Sequence, residues 1–523
     1  MSGIKLLDCT LRDGGHVTQG KFGEQAIKSI IADLVKAKID IIEVGFLWQT
    51  ETDMDTARFY DIATVKKFLP KNMGASKVSL MADNVDLEHL EPYDGTVEYI
   101  RISFRKNEMD WARKAAKTVI DKGYKCFMNP IHGSSISDKE YLEIIDMVNE
   151  IHPFAFSIVD TFGAMRQSDL ARLYYLIDYN LDETIELGVH LHENLGLAYS
   201  LAQYILSIVS PKRNITIDGS LFGMGKIPGN LCIEQVMDYM NIEYQSNYAT
   251  EPVYDAIDQF IMPIYHRVGG WGYSIPYAIS AQCGVHRTYA EYLVNKERLM
   301  TKDVRRILKS IPEEKSEIFD KDFIEKQYKA YMNAAYDDSC YLELLSDKLK
   351  EYESVIIVAP GQSINDLSLD STLRKKSCLI TINFEYKKEN TDLCFWTNAK
   401  RLGYASNLDF KRLVITSNLR DELPEAKYVI SRNELIYHDD IWSDDSTLML
   451  LNLLKKIGVK TVYIAGFDGF SKEKGNFFNE QYERIVREYD YDTNSRITVL
   501  KQVYSTMNIH FLTPSVYEVS FEK

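Results

Sequence analysis

Eight short β-rich apolar runs alternate with amphipathic stretches between residues 4 and 221, and that alternation narrows the fold more than any other feature of the chain. The runs are Ile4 to Thr10, Ile39 to Phe46, Lys77 to Ala82, Val97 to Phe104, Tyr124 to Asn129, Ala155 to Thr161, Ile185 to His192 and Ile215 to Leu221. Helix-period segments such as Glu24 to Lys38, Trp111 to Lys122 and Asp169 to Tyr179 lie between them. A strand followed by a helix, repeated, makes parallel strands joined by crossovers. Eight such units suffice for a (β/α)8 TIM barrel, although a doubly wound sheet uses the same alternation.

The 523 residues exceed what one ordinary core organises, so at least two domains are expected. We divide the chain into a barrel over 1–290, a charged helical connector over 291–350 and a Rossmann-like α/β domain over 351–523. In the connector, Lys302 to Leu308 and Glu314 to Lys329 read as helices; in the last domain, strands are expected at Val355 to Ala359, Cys378 to Asn383, Leu413 to Ser417, Thr461 to Gly466 and His510 to Thr513. A formal charge of -15 argues against general nucleic-acid or anionic-membrane surfaces while leaving room for local phosphate pockets. Seven scattered cysteines with no C-x-x-C pair suggest reduced thiols in a cytoplasmic protein. No apolar stretch approaches the roughly 20 residues of a membrane span, and the chain opens directly into a strand without a basic n-region.

Chemistry concentrates at the strand ends. Leu11-Arg12-Asp13-Gly14-Gly15-His16 closes the first run and Val189-His190-Leu191-His192-Glu193-Asn194 closes the seventh. Alternation along a strand puts His190 and His192 on one face, about 7 Å apart in Cα, near enough to share an ion. One carboxylate and two imidazoles with open positions form the ligand set of a catalytic divalent metal. Because a barrel gathers its catalytic groups at the carboxyl ends of its strands, Glu43, Arg101, Asp160, Thr161 and Asp218 also become candidates. Glu43 and Arg101 are equally readable as barrel-mouth salt bridges.

Asp8-Cys9-Thr10-Leu11-Arg12-Asp13-Gly14, the His190/His192 pair and the stretch from Asp218 to Asn230 together resemble the pyruvate-carboxylate-lyase (HMG-CoA lyase-like) barrel superfamily, over roughly residues 1 to 290. Gly15-His16 after Arg-Asp-Gly is similar to the 4-hydroxy-2-oxovalerate aldolase branch, whereas the acyl-CoA-using synthases usually read R-D-G-E-Q. Gly272 to Tyr277 resembles that aldolase's G-Y-x-x-x-Y segment. The resemblance implies a metal-dependent pyruvate aldolase acting on a 2-oxo acid and an aldehyde. Asp13, His190 and His192 would hold the cation, with Mn2+ preferred and Mg2+, Co2+ or Zn2+ as alternatives. Arg12 would face the enolate oxygen, His16 would act as base and Tyr277 would be the active-site tyrosine. Thr161 would contact the substrate carboxylate, Asn194 would orient a ligand, and Asn230 occupies the position of a fourth ligand in the lyase branch.

In the last domain, Val355 to Ser363, Ile382-Asn383-Phe384, Phe395 to Asn398, Asp445-Ser446-Thr447 and Ile464 to Gly469 resemble the bacterial α-2,3-sialyltransferase fold. That resemblance implies that Gly361, Ser363, Asn383, Asn398 and Ser446 line a pocket for CMP or another nucleotide sugar. Asn and Ser are also ordinary turn and cap residues. The histidine base of those transferases has no counterpart between Phe470 and Leu500. The expectation is an aldolase fused to a nucleotide-sugar-binding domain, in surface-polysaccharide or unusual-sugar synthesis, with a homo-oligomer left open. The alternatives are a Claisen-type acyl-CoA synthase and a non-catalytic nucleotide-binding scaffold.

Overall fold

The computed structural model describes residues 3–131, 136–386, 390–405, 408–437, 445–471, 475–483 and 493–518. The chain divides into two compact units, one of Met1–Glu291 with Ile311–Phe319, the other of Tyr292–Ser310 with Asp320–Lys523. The segment expected as a connector is thus shared between them.

The first unit is a closed parallel barrel of eight strands: β1 (Ile4–Asp8), β2 (Ile41–Leu47), β3 (Lys77–Asp83), β4 (Tyr99–Phe104), β5 (Lys125–Pro130), β6 (Ala155–Asp160), β7 (Glu186–Leu191) and β8 (Ile215–Gly219). Each strand pairs with the next, and β8 returns to β1 with Leu7 opposite Asp218. The doubly wound alternative is thereby excluded. Helices such as Glu24–Lys36 turn Ile27, Ile30, Ile31 and Leu34 onto the barrel wall, the i, i+3, i+4, i+7 stripe read from the sequence.

Alternation along the strands builds the barrel interior in layers. Ile41, Tyr99, Phe127 and Ala155 close its amino-terminal side as an apolar plug with Leu7 and Cys9. Two residues further along the same strands stand Glu43, Arg101, Asn129 and Ser157, all buried, so the layer above the plug is polar and charged. The Arg101 guanidinium rests on the plug, 5.5 Å from the centre of the Phe127 ring.

The second unit is built on a seven-stranded parallel sheet: β9 (Ser354–Val358), β10 (Ser377–Ile382), β11 (Leu393–Trp396), β12 (Leu413–Thr416), β13 (Tyr428–Ile430), β14 (Thr461–Ala465) and β15 (Asn508–Phe511). Their order is β13-β12-β11-β10-β9-β14-β15, so the direction of winding reverses between β9 and β14. Such a reversal opens a crevice beyond the carboxyl ends of the two strands. The helix Ser446–Ile457 buries Thr447, Leu448, Met449, Leu450, Leu451, Leu453 and Leu454. Asp445 caps it by accepting the Thr447 and Leu448 amides at 3.0 and 3.2 Å.

Several expected bounds shift. The connector helix placed at Glu314 begins only at Lys321, where Asp320 accepts the Phe323 amide at 3.0 Å; residues 313–315 form a separate 3-10 turn. Strands β11 and β13 and a two-residue ladder at Arg58–Phe59 had no reading of their own, being four residues or shorter. No helix of the described residues is long and apolar enough to cross a membrane.

Gly466, at the end of β14, has φ +72 and a Cβ there would stand 2.0 Å from the Ala359 carbonyl oxygen. Gly466→Ala therefore combines strain with a backbone clash and should cost about 3 kcal/mol. A urea midpoint equal to the parent protein's would contradict this packing.

Candidate metal centre

Asp13 ends a four-residue helical turn that follows β1, His190 lies in β7 and His192 just beyond it. Their ligand atoms all fall within 4.8 Å of one another, and all three residues are buried. Closure of the barrel brings the two motifs together: β7 pairs with β8, and β8 with β1.

The imidazoles are oriented from behind. His190 Nδ1 is 3.0 Å from Asp218 Oδ2, and His192 Nδ1 is 2.9 Å from the Asp160 carbonyl oxygen. With each Nδ1–H donating to such an acceptor, the lone pair is fixed on Nε2. His192 Nε2 is buried and has no hydrogen-bond partner; it stands 3.9 Å from Asp13 Oδ2. Burial first, and then the charge of His190, push the His192 imidazole down to about 3, so it is neutral and able to donate its lone pair. Burial of Asp13 would favour the protonated acid, but the Arg12 guanidinium overrides it and holds the carboxyl well below the usual carboxylate range.

Asp13 is also held by its neighbours. Arg12 Nη1 donates to Oδ1 at 2.5 Å, while Asn230 Nδ2 at 2.6 Å and the Lys226 amide at 3.2 Å donate to Oδ2. Gly225 is required there, because a Cβ would come within 2.4 Å of both Asp13 and Asn230. Arg12 Nε donates to Glu43 Oε2 at 2.6 Å. Arg101 donates to the same Glu43 oxygen at 3.3 Å and to Asp218 Oδ2 at 2.5 Å. One chain of charge-assisted bonds therefore runs from Asp13 through Arg12, Glu43, Arg101 and Asp218 to His190. Formally it holds three carboxylates and two guanidiniums, one negative charge in excess. A buried anionic excess beside an orphaned imidazole nitrogen suits a divalent cation.

The other expected residues are placed unevenly. His16 sits at the rim, its side chain 46% exposed, with Nε2 3.7 Å from Asp13 Oδ1 and its ring edge-on to Phe46. Tyr277, half-buried in the helix Ile275–Cys283, is held by Glu291; burial and that carboxylate push its phenol up to about 12. Thr161 is half-buried in the turn after β6. Asn194 is buried against that turn, so close to Gly163 that a Cβ there would stand 2.4 Å from Asn194 Oδ1. Asn230 Oδ1 is buried and without a partner. Sequence reading left Lys226 aside, although a cation in the Gly225-Lys226-Ile227-Pro228-Gly229-Asn230 loop was a visible signal.

In the second unit, Asn383, with φ +59, donates to Ser446 Oγ at 2.9 Å and to Thr397 Oγ1 at 3.3 Å, and accepts the Thr397 and Asn398 amides. Asn398 donates to the Glu297 carbonyl at 3.2 Å. Ser363 binds Asp468 through both its amide and its hydroxyl, at 2.8 and 2.5 Å. Gly361 packs on the Gly466 carbonyl, 2.3 Å from where a Cβ would be, which explains the glycine without a phosphate. These five residues stand at the carboxyl ends of β9, β10 and β11 and at the start of the helix Ser446–Ile457, each engaged within the domain.

The HMGL-like family matches residues 3–258. The 4-hydroxy-2-oxovalerate aldolase of Pseudoalteromonas translucida is 24% identical over 269 residues, covering 50% of this chain and 76% of the relative. The 2-isopropylmalate synthase of Buchnera aphidicola is 23% identical over 253 residues, covering 45% of this chain and 47% of the relative, so the match spans about half the synthase's length. The solved HMG-CoA lyase of Brucella melitensis is 12% identical with a TM-score of 0.41, covering 50% of this chain and 99% of that one.

Asp218→Asn should loosen both Arg101 and His190 and weaken Mn2+ binding by roughly 10- to 100-fold, read by titration of the free-ion paramagnetic signal. An unchanged affinity would show that the buried network does not serve the ion. The family match ends well before the second sheet begins, and what it covers is the barrel: residues 3–258 are similar to the HMGL-like family.

Proposed function

We propose that this protein is a divalent-metal-dependent aldolase that cleaves or forms a 4-hydroxy-2-oxo acid through the enolate of pyruvate. The observation that carries this reading is the buried, unpartnered Nε2 of His192 beside Asp13 and His190, in a cluster with one negative charge in excess. A cation held there, Mn2+ first and Mg2+, Co2+ or Zn2+ as alternatives, would supply Lewis acidity to the 2-oxo group.

The chain's own groups do the rest. Arg12, permanently charged and locked between Glu43 and Asp13, presents fixed positive charge to the oxygen on which the enolate's charge develops. In the cleavage direction His16 Nε2 takes the proton of the 4-hydroxyl, the bond between C3 and C4 breaks, and its electron pair passes into the enolate while C4 becomes the aldehyde carbonyl. The enolate carbon then takes a proton to give pyruvate. His16 suits this task because it stands at the rim, open to solvent, yet 3.7 Å from a ligand carboxylate. His16 in place of the synthases' residues favours an aldehyde over an acyl-CoA partner. Tyr277 and Thr161 are assigned to the substrate end of the site.

The second unit is read as a nucleotide-sugar-binding domain, with Gly361, Ser363, Asn383, Asn398 and Ser446 at the mouth of its crevice, and the whole as an enzyme of surface-polysaccharide or unusual-sugar synthesis. The placement of these residues at strand ends beside the winding reversal supports this. All seven cysteines are free thiols, which supports a reducing, cytoplasmic setting.

With Mn2+ and pyruvate in D2O, the methyl protons of pyruvate should exchange, and chelation or Asp13→Ala should abolish that exchange. Arg12→Lys, which cannot bridge Glu43 and Asp13 with a planar fork, should slow it by roughly 10²-fold. Full exchange by the Asp13→Ala protein would remove the proposed site.

A further inference from the structure

Between the helices Met262–Val268 and Ile275–Cys283 the chain reads Gly269-Gly270-Trp271-Gly272-Tyr273-Ser274, a segment without regular structure that lies beyond the family match. Nothing in the chemistry above uses it. Gly269, Gly270 and Gly272 have φ of +82, +87 and +113, backbone that glycine adopts without strain, and the turns they make bring the segment against the loop that follows β8.

Two hydrogen bonds and a ring cluster fasten it there. The Trp271 indole Nε1–H donates to the Phe222 carbonyl at 2.8 Å, and the Gly272 amide donates to the Pro228 carbonyl at 2.7 Å. Tyr265 meets both Trp271 and Phe222 edge-on, with ring centres 4.8 and 5.4 Å apart. A Cβ on Gly229 would stand 3.3 Å from Trp271 Cδ1, so the indole lies directly on that glycine. Two residues on, Tyr273 leans on the loop after β7, its ring 3.7 Å from where a Cβ on Gly196 would be.

The carbonyls so gripped bracket the groups that hold Asp13. Lys226, between Phe222 and Pro228, gives its amide to Asp13 Oδ2 at 3.2 Å, and Asn230, two residues past Pro228, gives its Nδ2 to the same oxygen at 2.6 Å. This stretch also meets the second motif: the Gly229 carbonyl accepts the Glu193 amide at 2.9 Å, and Asn230 forms a β-bridge with His192. Bonds inside the loop, such as the Asn230 amide to the Gly223 carbonyl at 2.9 Å, fix its shape but not its seat on Asp13.

We infer that Trp271 and Gly272 form an outer clamp that seats residues 222–230 on Asp13, which makes Trp271 a positioning residue for the cation although it lies outside the ligand set. The role rests on the metal-centre reading and is independent of the aldol chemistry. Such coupling is reciprocal: the factor by which the closed clamp strengthens ion binding is the factor by which the ion favours the closed clamp. The clamped segment runs directly into the helix Ile275–Cys283, which carries Tyr277, so loading the ion also steadies the approach to that helix.

The test is hydrogen–deuterium exchange read by mass spectrometry on the full-length protein with and without Mn2+, alongside titration of Mn2+ by its free-ion paramagnetic signal. Mn2+ should slow amide exchange in peptides covering residues 222–230 and 269–274 by roughly threefold or more, and Asp13→Ala should abolish that protection together with Mn2+ binding. Trp271→Phe keeps an aromatic ring and loses only the N–H donor; it should weaken Mn2+ binding by roughly 3- to 30-fold and reduce the protection of 269–274, with circular dichroism and the urea midpoint reporting the fold separately. Exchange in 269–274 that Mn2+ leaves unchanged in the parent protein would overturn the clamp without need of any variant. So would a folded Trp271→Phe protein that binds Mn2+ as tightly as the parent. Mn2+ binding that survives Asp13→Ala would remove the metal centre itself and the clamp with it, whereas a loss of pyruvate methyl exchange alone would count against the aldolase reading and leave the clamp standing.

Discussion

The chain of ion pairs from Asp13 through Arg12, Glu43, Arg101 and Asp218 to His190 is the interaction on which the rest of the barrel's interior depends. Burying five formal charges is unfavourable unless every one is met, and here each guanidinium bridges two carboxylates. The apolar plug of Leu7, Ile41, Tyr99, Phe127 and Ala155 closes the barrel beneath the charged layer, and Phe127 offers its face to Arg101. Such a network contributes little net stability by itself; it fixes directions. Its two ends are both candidate metal ligands, so the orientation of Asp13 and that of His190 are set by one continuous object rather than by independent rotamers.

This arrangement also separates roles along the barrel axis. Groups below the cation are buried and joined in ion pairs, which suits preorganised charge. Groups at the rim differ: His16 is partly open to solvent. Proton transfer and recognition of a variable substrate belong at such a rim, because both need access. The loop from Gly225 to Asn230 supplies the Asn230 side-chain amide and the Lys226 backbone N–H to Asp13, so it too fixes the direction of that carboxylate.

Much of this was legible in the residues. All eight barrel strands were read within two residues of their observed ends, because alternation over five or more residues outlasts local noise. Asp13, His190 and His192 could be read as one site because strand ends converge in a barrel. Glu43 and Arg101 were readable as barrel-mouth salt bridges, but not the choice of Asp218 as the second partner of Arg101, 117 residues away, which only barrel closure makes its neighbour. In the second unit, strands β11 and β13 are four residues or fewer and carry no usable period. Asn383 and Ser446, expected to line one pocket, are hydrogen-bonded to each other across 63 residues, a contact that spacing cannot reveal.

The central claim is that Asp13, His190 and His192 hold one cation between them. Anomalous diffraction from a crystal grown with Mn2+ tests it most directly. The account predicts a single strong peak in the barrel, about 2.2 Å from Asp13 and from the Nε2 atoms of both histidines. A protein that takes up manganese with no peak between these three residues would contradict it.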